Sequence, residues 1–203
     1  MKKYKFIFWS NGLVLILITV LLIYAKSSAS ASVTTLFMPP VAPQHPSERF
    51  LTYTFQILCT VPAIVCAFTW GLLNAVQPNN KSKDFILCSA LIMGGFLINE
   101  FFRIHVILLN LGIPKLLTIF FFALAAFLYI GLFIKQIKST LYPLLLVGIG
   151  LLIVAVIMDS LGIKNDIFAG LLEGLPKIFS AVNLAVYFWY VCHQELIKRG
   201  NFN

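Results

Sequence analysis

The sequence predicts an all-α polytopic membrane protein: one bundle of six transmembrane helices with both the N- and C-terminus cytoplasmic. Three observations predict it. Of the 203 residues, 60% are apolar and 11% charged, with mean hydropathy +0.95, whereas a soluble domain is about 45–50% apolar and about 25% charged. The apolar residues form unbroken runs such as 116–134, unlike the alternating segments of a transmembrane β-barrel. At roughly 20 residues per span plus short loops, the length holds about six spans.

Span 1 is expected over 5–24, behind Lys2, Lys3 and Lys5. The basic start, the apolar run and Ala29-Ser30-Ala31 also fit a signal peptide. The run exceeds the usual core of about 7–15 residues, which favours an uncleaved anchor. Residues 27–49 read as an extracytoplasmic loop, because Pro39, Pro40, Pro43 and Pro46 remove backbone donors and fix φ. His45, Glu48 and Arg49 close that loop as solvated residues. Span 2 is expected over 50–76, with a kink at Pro62. Span 3 is expected over 85–111, stopped by Gly112 and by Pro114, which prevents continuation. Span 4 covers 116–134, span 5 covers 141–158 and span 6 covers 167–192. All six make a single membrane domain over 1–203.

Orientation follows from the basic residues, which gather on the cytoplasmic side. With the N-terminus inside, Lys2, Lys3, Lys5, Lys81, Lys83, Lys135, Lys138, Lys198 and Arg199 lie inside. Only Lys26, Arg49, Lys115 and Lys164 lie outside, and Arg103 and Lys177 fall within spans. Trp9, Tyr24, Tyr53, Trp70, Tyr142, Trp189 and Tyr190 lie toward span ends, where aromatic belts form. The net charge of +8 would suggest nucleic acid for a soluble protein. Here the charges lie between spans, so no nucleic-acid partner is expected. Cys59, Cys66, Cys88 and Cys192 show neither CxxC nor a Cys/His ligand spacing. They read as small apolar fillers, and no metal site or cofactor is expected.

Ionisable groups within the bilayer cost from about 3 to more than about 10 kcal/mol unless paired or hydrated. Two places therefore stand out: Asn99-Glu100-Phe101-Phe102-Arg103-Ile104-His105 in span 3, and Glu173 with Lys177 in span 6. At about 1.5 Å per residue, Glu100, Arg103, Glu173 and Lys177 all fall in the outer half of the membrane. His105 and Asn110 lie nearer the outer surface, and Asp159 and Asp166 lie at it. At about 100° per residue, Asn99, Arg103 and Asn110 share one face with Glu100 beside it, and His105 points away. Glu173, Lys177, Ser180, Asn183 and Tyr187 form one stripe, and Glu173 precedes Lys177 in the favourable i,i+4 order. Pro176 leaves the Leu172 carbonyl without its helical donor. Spans 3 and 6 are thus expected to pack through Glu100, Arg103, Glu173 and Lys177, two acids neutralising two bases. The cluster Asn99, Glu100, Arg103, His105, Asp159, Glu173, Lys177 and Asn183 either fixes which helices meet or lines a pocket opening outward. No catalytic residue is assigned.

Two functional readings follow. One is a non-enzymatic ligand-binding, sensing or accessory module. Its expected partners are the lipid bilayer, a lipid or small-molecule ligand on the outer side, and a partner membrane protein. The alternative is a metal-dependent hydrolase at the outer leaflet, with His105, Asp159 and Glu173 as ligands around an open position. No HExxH occurs, and Arg103 and Lys177 would repel a cation. A transporter would need a polar path to the inner face, where the spans carry almost no charge.

The order of motifs resembles a loose family of small bacterial integral membrane proteins of uncharacterised function. The resemblance covers about residues 90–192 and rests on Asn99, Glu100, His105, Gly112-Ile113-Pro114, Asp159, Glu173, Lys177 and Tyr187. The chain departs from the pattern where Asn99, Val106 and Leu172 stand in place of acids and where Pro176 enters the Glu-to-Lys spacing. A more distant similarity links it to membrane hydrolases of the alkaline-ceramidase type, whose paired His motif it lacks. The family resemblance implies a multi-pass protein of a bacterial inner or plasma membrane and carries no activity.

Overall fold

The structure, a computed structural model, describes residues 2–27, 50–76, 82–160 and 166–200. These form seven helices: α1 (Lys2–Ser27), α2 (Phe50–Val76), α3 (Ser82–Phe102), α4 (Ile104–Asn110), α5 (Lys115–Lys138), α6 (Tyr142–Ser160) and α7 (Asp166–Gly200). Five of them, α2, α3, α5, α6 and α7, contain stretches long and apolar enough to cross a membrane. The expected first span lies in α1, where the described apolar stretch Asn11–Tyr24 is shorter than a span. The Pro-rich loop, with His45, Glu48 and Arg49, lies outside the described residues.

Helix α2 occupies the same residues as the expected second span and continues through Pro62, and α7 continues through Pro176. The main departure is in the third span. Residues 85–111, expected as one helix, are divided at Arg103 into α3 and the seven-residue α4. Asn99 and Asn110 therefore do not share one continuous helical face, because the 100° phase rule holds only while the backbone stays helical. Helix α5 bends at Phe133, whose backbone (φ −115°, ψ 20°) leaves helical values. The Phe133 ring packs on Phe85 and Tyr129, each with centroids 5.5 Å away.

The chain divides into two compact units: residues 1–58 with 143–186, and residues 59–142 with 187–203. Helices α2 and α7 each contribute to both. In the first unit, α6 meets α7 through Gly148. A Cβ built there would sit 3.0 Å from Cγ and Cδ2 of Leu184, so glycine permits the close approach. Ser180 uses that proximity, donating to the Gly148 carbonyl at 2.7 Å. Asn183 and Asn11 join α7 to α1 by exchanging amide hydrogen bonds of 3.1 and 3.4 Å. Asn183 also donates to Phe179 O at 2.7 Å. Asn183 is 3% exposed, so these bonds satisfy polar atoms that its burial removes from water.

In the second unit, α3 packs on α5, and α4 packs on both. Ser89 donates to Phe85 O at 2.7 Å, so the 2.8 Å contact with Tyr129 is donated by the phenol. The same logic orders the end of α5. Thr140 donates to Ile137 O at 2.7 Å and accepts from the Tyr187 hydroxyl at 3.0 Å. Cys192 and Cys66, both buried, place their sulfurs 3.7 Å apart, a thiol contact between α7 and α2.

Burial separates the helices. From Ile178 to Cys192, α7 is buried at all but Phe179, Val186, Trp189 and Tyr190. Its Ser180–Asn183–Tyr187 stripe faces inward, at 1%, 3% and 0% exposure. By contrast, α5 leaves Leu116, Phe120, Phe121, Phe127 and Leu132 more than half exposed. Soluble monomers rarely expose apolar surface on this scale.

Candidate functional site at an interrupted helix

The break between α3 and α4 gathers four of the residues singled out in the sequence: Asn99, Glu100, Arg103 and His105. Neither glycine nor proline stands between Phe96 and Leu111, so the interruption has another cause. Arg103 adopts φ 51° and ψ 44°, the left-handed region. Among the described residues it is the one non-glycine with positive φ. That conformation costs an L-residue roughly 1–2 kcal/mol.

Asn99 holds the break in place. It is 7% exposed, and its Oδ1 accepts the main-chain N–H of His105 at 3.2 Å. In a continuous helix that N–H would bond to Phe101 O. Asn99 thus caps α4 from the preceding helix, satisfying one of the donors that every helix start leaves open. Its Nδ2 donates to Glu100 Oε1 at 3.3 Å. The next two donors of α4, Val106 N–H and Ile107 N–H, both reach Arg103 O, at 2.8 and 3.2 Å. Asn99 Oδ1 and Arg103 O therefore replace the helical acceptors of His105 and Val106, while Ile107 keeps its ordinary i→i−4 bond. Arg103 itself is exposed, beside Phe101 and Phe102, which are 60% and 64% exposed.

The far end of α4 is closed by a Schellman motif. Gly112 takes φ 84°, its N–H reaches Leu109 O at 3.0 Å, and Ile113 N–H reaches Leu108 O at 2.9 Å. Pro114 then precedes α5. This is the stop that Gly112-Ile113-Pro114 implied.

The remaining four residues lie in the first unit. Lys177 and Glu173 form a half-buried ion pair at 2.6 Å along α7. Asn183 is bonded to Asn11, and Asp159 is exposed near the end of α6. Among the described residues no group of three His, Cys, Asp or Glu side chains could hold a metal ion, so nothing there favours the hydrolase reading. Sequence reasoning overlooked Asn11, although it is a polar residue within an apolar run and the rule that selected Asn183 applies to it. It also overlooked the capping role of Asn99, for which no local signal exists.

No curated protein and no solved structure matches the chain. A family profile does, over residues 12–191. The chain belongs to that family, DUF8692, a domain of unknown function.

Proposed function

We propose that the protein is a multi-pass protein of a bacterial inner or plasma membrane, with six spans and cytoplasmic termini. In this reading it is a non-enzymatic ligand-binding, sensing or accessory module, and the interrupted helix is its ligand-facing element. The membrane assignment is supported by the five long apolar helices and by the exposed apolar face of α5. Trp9, Tyr24, Tyr53, Tyr142 and Trp189, all exposed, suit the headgroup level.

The observation that carries the ligand reading is the left-handed Arg103 at the end of α3. That helix has 21 residues, about 31 Å at 1.5 Å each, which uses up a hydrocarbon core of about 30 Å. Arg103 then emerges at the outer headgroup level and need not be buried. A glycine would take this backbone at less cost. The arginine is explained by what its guanidinium meets, and a planar fork of donors suits a phosphate or carboxylate on a lipid or small molecule. Strained backbone concentrates at such sites.

The test uses the full chain in nanodiscs, after alkaline carbonate extraction has shown that it stays in the membrane fraction. Anionic lipid should raise the thermal midpoint of the wild type relative to neutral lipid. Arg103→Gly should fold and show no such rise, and Arg103→Lys should show part of it. An Arg103→Gly protein that responds to anionic lipid like the wild type would refute the reading.

A further inference from the structure

A second site lies in the same unit, at the opposite end of α3. There the start of α3, the end of α5 and the last turns of α7 enclose an open cavity of about 470 Å³, within the range of small-ligand sites of about 300–1,000 Å³. Its polar wall is made by Ser82, Gln136, Ser139, Thr140 and Glu195. Phe85 and Val191, each 2% exposed, form its apolar wall.

The direction of the hydrogen bonds decides what this wall can bind. Ser139 spends its hydroxyl proton on Gln136 O at 2.7 Å, and Thr140 spends its own on Ile137 O at 2.7 Å. Each hydroxyl has one proton, so both present only lone pairs to the cavity, and Thr140 already receives the Tyr187 proton on one of them. Glu195 adds a carboxylate to the same wall. Ser139, Thr140 and Glu195 together make an acceptor patch with a negative charge, beside the Gln136 amide and the Ser82 hydroxyl, which can also donate. Such a patch selects a donor-rich cation, and a primary ammonium offers three N–H groups. Basic residues neighbour the wall in sequence. Lys135 is exposed one helical turn before Ser139 and Lys138 is exposed immediately before it, whereas Lys83, beside Ser82, is followed by the exposed Asp84. Lys135 and Lys138 suit an anion.

We propose that this cavity binds a primary ammonium–phosphate zwitterion, carried as the headgroup of an aminophospholipid such as phosphatidylethanolamine. The ammonium sits on Glu195, Ser139 and Thr140, and the phosphate lies toward Lys135 and Lys138. The apolar wall of Phe85 and Val191 receives the first carbons of the lipid. The proposal rests on the membrane reading above, but not on Arg103.

The test is native mass spectrometry of the full chain in detergent. It is titrated with phosphatidylethanolamine, phosphatidylcholine and phosphatidylglycerol of matched acyl chains. Phosphatidylcholine keeps the charge and removes the N–H donors, and phosphatidylglycerol removes the amine. Phosphatidylethanolamine should bind about tenfold more tightly than either, the worth of one charge-assisted hydrogen bond. Glu195→Gln should abolish its advantage over phosphatidylglycerol. A second variant, Ser139→Ala, leaves the charge in place and should lower the preference over phosphatidylcholine. Replacing Lys135 and Lys138 with Gln should weaken all three lipids together. Soluble phosphoethanolamine should compete only weakly; competition as strong as that of the lipid would overturn a lipid source and assign the site to a soluble zwitterion. Equal binding of the three lipids by the wild type, or an unchanged preference in a folded Glu195→Gln protein, would overturn the proposal. A chain that resists carbonate extraction yet shows no preference loses this site and keeps the membrane reading.

Discussion

Replacing Arg103 by glycine and, separately, by alanine distinguishes an interrupted helix from a continuous one by the sign of a single difference. In a helix interior, glycine is about 1 kcal/mol less stable than alanine. In the left-handed conformation observed at Arg103 (φ 51°, ψ 44°), alanine carries the same penalty as arginine, about 1–2 kcal/mol. Glycine escapes it and loses about 0.5–1 kcal/mol through its freer unfolded chain. The structure therefore predicts that Arg103→Gly is at least as stable as Arg103→Ala, by about 0–1.5 kcal/mol. A continuous helix predicts the reverse by about 1 kcal/mol. Arginine and alanine should differ little, because Arg103 is exposed. The assay is reversible unfolding of the full chain in mixed micelles against increasing SDS fraction, followed by circular dichroism. Alanine emerging as the more stable of the two would show that residue 103 is helical. The cap from Asn99 and the proposed ligand-facing break would fall with it.

Asn99→Ala should destabilise by about 1–3 kcal/mol in the same assay, since it removes the cap on His105 N–H and leaves that donor without the bond. Asn99→Asp, which keeps the acceptor, should recover part of the loss. Gly148→Val should cost about 1–3 kcal/mol or more, because even the first added carbon meets Leu184 at 3.0 Å; Leu184→Ala in the same chain should relieve it. Asn183→Ala should cost about 0.6–2 kcal/mol through the lost pairing with Asn11, and a double-mutant cycle with Asn11→Ala should show coupling. Tyr187→Phe should cost only about 0.5–1.5 kcal/mol, since Thr140 keeps its own acceptor at Ile137 O; a larger loss would mean that the phenol has a further buried partner.

Periodicity and composition determined a large share of this molecule. The apolar runs 50–76 and 116–134 are helical because a mostly apolar segment leaves its backbone groups to pair with one another, and Thr54 only adds a bond to Phe50 O within its own helix. Pro62 and Pro176 are accommodated without ending their helices. The stop at Gly112 and Pro114, the Glu173–Lys177 pair and the inward Ser180–Asn183–Tyr187 stripe are local features, set by spacings of three to seven residues on one helix. Only tertiary structure decided where a polar side chain finds its partner across helices. Asn183 reads as one of a stripe until Asn11, distant in sequence, is placed against it, and nothing in the sequence pairs Tyr187 with Thr140. The break at Arg103 was hidden most fully, since residues 96–111 hold neither glycine nor proline to mark it. A left-handed residue persists there because the folded chain holds Asn99 in reach of His105 N–H, a bond whose worth depends on burial rather than on spacing.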